Sequence, residues 1–349
     1  MKNFPELSLL EKLADRSSRF GQVRVAESVD FRGNPYPVYS FAFGSRSPDA
    51  PVFGLVGGVH GLEKIGTQVV LSFLDHLLER MEWDEGLRWQ LEKMRFILMP
   101  LVNPVGMHRN TRANGNDVDL MRNSPVRSLQ GATPLLGGHR LSRLLPWYMG
   151  EEGKLEAEAK ALCDFIRQEC FSSKSSVVVD VHSGFGLADQ IWFPYAHSTD
   201  PYPGLPDVAA LKALLDRVLP NHIYRFEPQA INYTTHGDLW DYLYDEHGVS
   251  GAKDSVFVPL TLELGSWNWI KKNPFQLYYR SGAFNPMKIH RQKRVLRRHL
   301  PFFDFLMHAS AFPAKWRLEP GSVREEFRQL GMRYWYQHLL PAPALGSVR

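Results

Sequence analysis

The sequence predicts an α/β fold: a mixed, largely parallel twisted sheet flanked by helices, with a site at the carboxyl ends of its strands. Three observations predict it. Short apolar runs break off in polar or glycine-containing turns, helical periodicities alternate with those runs, and ionisable residues gather in the turns. The composition agrees. With 44% apolar and 22% charged residues, the chain is neither disordered nor fibrous, and its 349 residues can bury a core large enough to hold a rigid site. Many α/β proteins of this length fold as one unit, so residues 1–312 are expected to form the domain that carries the site and residues 313–349 a C-terminal arm.

The four clearest apolar runs lie at 52–56, 96–102, 177–181 and 256–262. The first leads into a helix over about 64–81, in which Ile65, Val69, Phe73, Leu74 and Leu77 keep to one side. Residues 154–170 read as a second helix and contain both cysteines, Cys163 and Cys170. Two helical turns separate them by about 10 Å, beyond disulfide reach. The Pro/Gly-rich stretches 131–138 and 194–206 read as surface loops. Residues 288–298 carry six Lys or Arg in eleven positions and read as the solvated face of a helix that packs Val295 and Leu296 on its other side; contact with an acidic partner is the second reading. Beyond Pro313, the aromatics Trp316, Tyr334, Trp335 and Tyr336 are expected to pack the arm onto the body, with 341–349 mobile.

A net charge of +4 does not make the chain a nucleic-acid binder. Its first residues lack the uninterrupted apolar core of a signal peptide, and no run approaches a membrane span. With the two separated cysteines, this predicts a reducing, cytoplasmic setting and no membrane partner.

The turns after the four runs carry the chemistry. The first run meets Gly57-Gly58-Val59-His60-Gly61-Leu62-Glu63, the second Asn103-Pro104-Val105-Gly106, the third Asp180-Val181-His182-Ser183-Gly184 and the fourth Glu263-Leu264-Gly265. His60 and Glu63, three positions apart where a strand turns into a helix, present their side chains to the same side. Among 13 histidines such spacing also arises by chance, as in His76-Leu-Leu-Glu79, which lies mid-helix after no strand end and reads as structural. His182, more than a hundred residues on, supplies a second imidazole. Two histidines, one carboxylate and an open fourth position are the ligand set of a catalytic zinc ion, which acidifies water and polarises a carbonyl. Glu263 ends an apolar strand where an idle carboxylate would be costly, and fits the general base that takes the water's proton. Arg112 offers a fixed cation for a developing oxyanion, against the plainer reading of a loop salt bridge.

On these residues the sequence resembles the zinc metallocarboxypeptidase family over roughly residues 50–270. Members carry a His-x-x-Glu pair, a later His, a catalytic Glu, and an arginine followed by an Asp-Leu-Asn-Arg-Asn run. The resemblance implies one zinc per chain held by His60, Glu63 and His182, with Glu263 as general base acting on a peptide or an amino-acid-derived substrate. It further implies that Arg112 stabilises the transition state, that Asp119 orients the first zinc histidine, and that Arg122 grips the substrate's terminal carboxylate. Tyr233, in Asn232-Tyr233-Thr-Thr-His236-Gly237, is similar to the tyrosine that closes over substrate. Two positions depart from the pattern. Met121 stands where the run has Asn, and Leu62 stands where many members place an arginine before the glutamate ligand. Both losses weaken the hold on a free C-terminal carboxylate.

Two rival readings stay open on the residues alone. A deacylase of the aspartoacylase and succinylglutamate desuccinylase type looks similar around residues 57–61 and uses the same metal logic on N-acyl amino acids, although the long interval from Glu63 to His182 and the Asn123 after Arg122 are more like the peptidases. A non-enzymatic zinc or peptide-binding module could also keep this scaffold. Other chemistries fail. Gly184-Phe-Gly186 is followed by Asp189 where a dinucleotide loop needs its third glycine, Gly248-Val-Ser-Gly-Ala252 is an incomplete nucleophile elbow, and neither cysteine has a catalytic context.

Overall fold

The computed structural model describes residues 4–340; the mobile end expected at 341–349 lies outside the described residues. The chain opens with helix α1 (Pro5–Ser17) and a hairpin of β1 (Gly21–Phe31) and β2 (Asn34–Gly44). Strand β3 (Val52–Gly57) leads through α2 (Lys64–Trp83) and α3 (Glu85–Lys93) to β4 (Arg95–Met99). Helices α4 (Pro104–Arg109) and α5 (Ala157–Cys170) precede β5 (Ser175–Phe185) and β6 (Gln190–Phe193). Helix α6 (Leu205–Val218), β7 (Arg225–Pro228), α7 (Leu239–Ser250) and β8 (Val256–Gly265) follow. Helices α8 (Trp267–Lys272), α9 (Ile289–Arg298), α10 (Leu300–Ala311) and α11 (Ser322–Trp335) complete the described chain.

The eight strands form one sheet in the order β1-β2-β4-β3-β5-β8-β6-β7. The four apolar runs are its centre, β4-β3-β5-β8, and they pair in parallel. Such strands are covered on both faces, which is why they read as unbroken apolar runs. Helices α2 and α10 lie against β3 and β5 on one side, while α5 and α7 pack together on the other. From β3 the chain crosses to β4 on one flank and later returns to β5 on the other. That reversal opens a crevice beyond the carboxyl ends of the strands.

The antiparallel flanks were not evident as apolar runs. β1 and β2 turn on Arg32 and Gly33, both at positive φ, as a two-residue hairpin requires, and β6 and β7 have only four residues each. Several boundaries and one loop differ from the expected ones; β5 and β8 run beyond the expected 177–181 and 256–262. The second run stops at Met99 rather than residue 102 because Pro100 has no N–H for the ladder. The helix expected from 154 begins at Ala157, since the Glu156 N–H donates to the Asn123 side chain at 2.6 Å and holds the chain extended. The loop at 194–206 is not a surface loop throughout: Tyr202 is buried, and the N–H groups of Ala196 and His197 both donate to Asp241 on α7. The 131–138 stretch is exposed at Gly131, Pro134 and Leu135 and partly or fully buried elsewhere, and the basic stretch forms α9 with Val295 buried. Cys163 and Cys170 are free and buried. In the described part of the arm, Trp316, Trp335 and Tyr336 are buried, whereas Tyr334 is exposed. No helix among the described residues is long and apolar enough to cross a membrane.

One close approach fixes the site. A Cβ on Gly66 would lie 2.4 Å from the Val181 carbonyl oxygen, so the first turn of α2 rests on the β5 backbone one residue before His182. Gly66→Ala is therefore expected to lift α2 from β5, destabilise the fold by roughly 1–3 kcal/mol and weaken metal binding at the turn before α2. Thermal unfolding of the variant checks this, and an unchanged Tm would mean that the helix can shift without cost.

Candidate metal centre and active site

The turn between β3 and α2 is held from three directions. Gly58 takes a φ of +65° in a space too small for a side chain, where a Cβ would lie 2.4 Å from the Thr67 hydroxyl. The Asn103 amide donates to the Val59 carbonyl at 3.2 Å and accepts from the Gly106 N–H at 2.7 Å. Asn285, from the far end of the chain, donates to the Leu62 carbonyl at 2.8 Å and accepts from the Ile65 N–H at 2.9 Å. His60 and Glu63 thereby project from a fixed turn, both buried.

His182 arrives from β5. Alternation along the strand puts Val178, Asp180 and His182 on one face, with Val178 in the apolar cluster shared with α5 and α7. The His60 and His182 Nδ1 atoms are 3.1 Å apart. They lie 2.9 and 3.1 Å from the two oxygens of Glu63. Each far nitrogen has its own carboxylate: His60 Nε2 is 3.1 Å from Asp119, and His182 Nε2 is 2.7 Å from Asp180. With those Nε2 protons given to the carboxylates, both Nδ1 lone pairs face each other and the Glu63 oxygens. Three acceptors turned on one point suit a cation, and two imidazoles with one carboxylate suit zinc. His60, Glu63 and His182 form a buried group with donor atoms within 4.8 Å of one another. Burial opposes the charge on Glu63, but the imidazoles of His60 and His182 hold it below the usual carboxylate range. Burial likewise opposes a charged His182, while Asp180 and Glu63 raise it well above its ordinary value.

Glu263 stands beside His182 across the parallel β5–β8 pair, and its carboxylate accepts from the Phe185 N–H at 2.9 Å. Burial and the charge of Glu63 push it up to about 8. Arg112 donates to Asp119 at 2.8 Å and reaches Glu63 at 3.4 Å. It is thus both in the site and tied by ion pairs. Against the effect of burial, Arg112 and His60 keep Asp119 well below the usual carboxylate range. Arg122 is only 2% exposed, yet among the described residues it makes no ion pair with a carboxylate. Its guanidinium donates to the Met121 carbonyl at 3.2 Å and lies 6.0 Å from the centre of the Tyr233 ring. Tyr233 also packs against Phe185 and Trp192. All eight residues singled out in the sequence therefore meet around one crevice.

Several contributors were not singled out. Asp180 could have been found, because a carboxylate two positions before a histidine in a strand shares its face. Trp240 on α7 donates its indole N–H to Asp180 at 3.0 Å, and the Ser183 N–H donates to Glu63 at 2.9 Å. Asn285 and the Leu136 carbonyl near Arg122 come from segments whose proximity only folding determines.

Metal analysis should find one zinc per chain, and His182→Ala should abolish it. Asp180→Asn should weaken zinc affinity by about 10- to 100-fold, because the amide no longer accepts the imidazole proton as a carboxylate does. Since zinc must displace protons from this cluster, affinity should fall as pH is lowered. Titration with a competing chelator at several pH values measures both effects; unaltered affinity in His182→Ala would remove the assignment.

A profile of the zinc carboxypeptidase family, peptidase M14, matches residues 7–278. Among curated relatives, carboxypeptidase SOL1 of Arabidopsis thaliana is 23% identical over 277 residues, covering 75% of this chain and 50% of that protein. Carboxypeptidase D of Mus musculus is 30% identical over 249 residues, covering 69% of this chain and 16% of that protein. The chain thus spans half the length of the first relative and a smaller share of the second. The fold is similar to the crystal structure of thrombin activatable fibrinolysis inhibitor, with a TM-score of 0.63 at 20% identity, covering 89% of this chain and 73% of that one. It is also similar to carboxypeptidase A from Helicoverpa armigera, with a TM-score of 0.61 at 19% identity over 88% and 72% of the two chains. The profile runs through all three metal-facing residues and Glu263, and the chain belongs to the zinc carboxypeptidase family.

Proposed function

We propose that the protein hydrolyses a peptide or amide bond at the C-terminal end of a peptide-like substrate. The observation that carries this reading is Glu263: a buried carboxylate, raised to about 8, next to His182 across the sheet and beside three converging metal donors. His60, Glu63 and His182 hold zinc, with Asp119 and Asp180 fixing the imidazoles. When bound, the zinc supplies an acidified water and polarises the scissile carbonyl. Glu263 takes the proton of the attacking water on its carboxylate and passes it to the leaving amine. Its raised pKa suits both halves of that exchange. Arg112, at the edge of the cluster, stabilises the developing oxyanion. Arg122, a buried cation that makes no ion pair with a carboxylate among the described residues, holds the substrate's carboxylate, and Tyr233 closes over it. The buried, free thiols support a reducing, cytoplasmic setting; finding the protein outside the cytoplasm by cell fractionation would count against that.

Glu263→Gln should keep its zinc while turnover falls at least ~100-fold, because the amide cannot accept the proton. Activity needs Glu263 ionised, so kcat/KM should drop as pH falls through its pKa in the working enzyme. The charge of zinc pulls that pKa down from the metal-free value of about 8, so the acidic limb is expected between that value and the ordinary 4.5. Loss of metal in step with loss of activity would make Glu263 a ligand or a structural group instead.

The Met121 side chain is buried in the apolar cluster with Leu120 and Trp240, where it cannot supply the amide donor of the family's run. Each missing charge-assisted hydrogen bond is worth roughly 1.5–3 kcal/mol. Activity on simple blocked dipeptides should therefore be weak, with a preference for substrates bearing further polar or anionic groups. Met121→Asn should raise kcat/KM on the simple substrates more than on the preferred one. Robust wild-type turnover of a blocked dipeptide, unimproved by the substitution, would show that the departure is silent. Hydrolysis of N-acyl amino acids in place of peptides would return the deacylase reading, and zinc binding without turnover on any acyl substrate the binding-module reading.

A further inference from the structure

From residue 264 to residue 303 the chain has no Asp or Glu and nine Lys or Arg; the rest of the chain has 32 Lys or Arg against 37 Asp or Glu. Three of these cations, Lys271, Lys272 and Arg280, lie in the first part of this segment, which the folded chain fastens to both metal-ligand turns. The Trp267 N–H donates to the Gly186 carbonyl and its indole N–H to the Gly184 carbonyl, each at 3.0 Å. The Ser183 hydroxyl donates to the Phe284 carbonyl at 2.8 Å, and the Phe284 ring covers Gly184, where a Cβ would approach it to 2.7 Å. Asn285 bridges Leu62 and Ile65 on either side of Glu63. Trp267 is also 5.0 Å, ring to ring, from Phe185, whose N–H holds Glu263. Residues 267–289 are therefore the rim of the catalytic crevice.

That rim keeps large apolar groups in water. Phe275, Tyr278 and Tyr279 are 73%, 87% and 61% exposed, and Ile289 is 70% exposed. Phe275 and Tyr278 stack on each other at 6.4 Å. Lys271, Lys272 and Arg280 stand among them, exposed, and form no ion pair among the described residues. An exposed aromatic pair with further apolar groups and unpaired cations in the same segment has the composition of a binding surface. Its attachment to both ligand turns selects the occupant: a chain whose scissile bond lies at Glu263 and whose terminal carboxylate lies at Arg122 has its upstream part free to run over this segment. The charge selects the chemistry.

We propose that residues 267–289 dock the part of a peptide substrate upstream of the scissile bond, and that this part is acidic. Aromatic faces cover its backbone and apolar atoms, while Lys271, Lys272 and Arg280 attract its carboxylates. The inference rests on the peptidase reading of the site and adds a substrate class to it. It concerns the exposed rim, whereas the Met121 argument concerns the buried end of the crevice.

The test compares blocked peptides that share one cleavable C-terminal dipeptide and differ only upstream, in four Glu, four Gln or four Lys, together with the bare blocked dipeptide. The Glu-rich peptide should exceed the Lys-rich one by at least ~10-fold in kcat/KM, mainly through KM, and the advantage should shrink with added salt. The triple variant Lys271→Glu, Lys272→Glu, Arg280→Glu should reverse that order while cleaving the bare dipeptide, which is too short to reach the rim, at the wild-type rate. Cleavage of all three long peptides with equal efficiency, or an order unchanged in the triple variant, overturns the inference and leaves the peptidase reading standing. Failure to cleave even the bare dipeptide, or any longer peptide, overturns both. Sedimentation with phosphatidylserine vesicles that Phe275→Ser and Tyr278→Ser abolish, alongside a flat peptide order, would assign the rim to an anionic lipid surface instead.

Discussion

The Nδ1 atoms of His60 and His182 and the two oxygens of Glu63 share one small buried volume, each within about hydrogen-bonding distance of the next. Every one of these atoms offers a lone pair when each imidazole carries its proton on Nε2 and donates it in a hydrogen bond to Asp119 or Asp180. Without a central cation such a cluster is held together by retained protons, and a cation bound there would replace them. The surrounding architecture answers to that constraint. Glu63 lies on the turn that Gly58, Asn103 and Asn285 brace, His182 lies on the central strand, and Gly66 lets the intervening helix touch that strand's backbone.

Around the cluster, charge is arranged in alternation. Asp119 receives His60, Arg112 and the Met121 N–H at once, so one carboxylate sets the positions of a ligand, a cation and the start of the short turn carrying Arg122. Asp180 performs the matching task for His182, with the Trp240 indole donating to the same carboxylate oxygen. Burying so many charges is costly unless each has a partner. Of the charged residues singled out for the site, Glu263 and Arg122 keep none of opposite sign among the described ion pairs. That isolation is what the proposed roles of Glu263 in proton transfer and Arg122 in holding the substrate's carboxylate rest on.

The rim extends the same logic outward. The segment after β8 is pinned to the ligand turns by backbone and side-chain bonds while its aromatics and lysines face solvent. Rigid attachment below and unsatisfied surface above suit a platform that orients a long substrate toward a fixed catalytic centre.

The sequence alone determined the centre of the sheet and the inventory of the site. Strands buried on both faces must be apolar throughout, so β3, β4, β5 and β8 stood out, and the polar residues at their ends were conspicuous by contrast. The flanking strands were hidden because β1 and β2 alternate and β6 and β7 are short. His60, Glu63, His182 and Glu263 were legible because a strand end is a local signal. Only the tertiary structure decided that Asn285 reaches back over two hundred residues to brace the ligand turn, that Arg122 makes no ion pair with a carboxylate among the described residues, and that the segment after β8 is pinned to the ligand turns. Those facts depend on which distant segments the closed sheet brings together, and no local pattern of residue types encodes a distance between them.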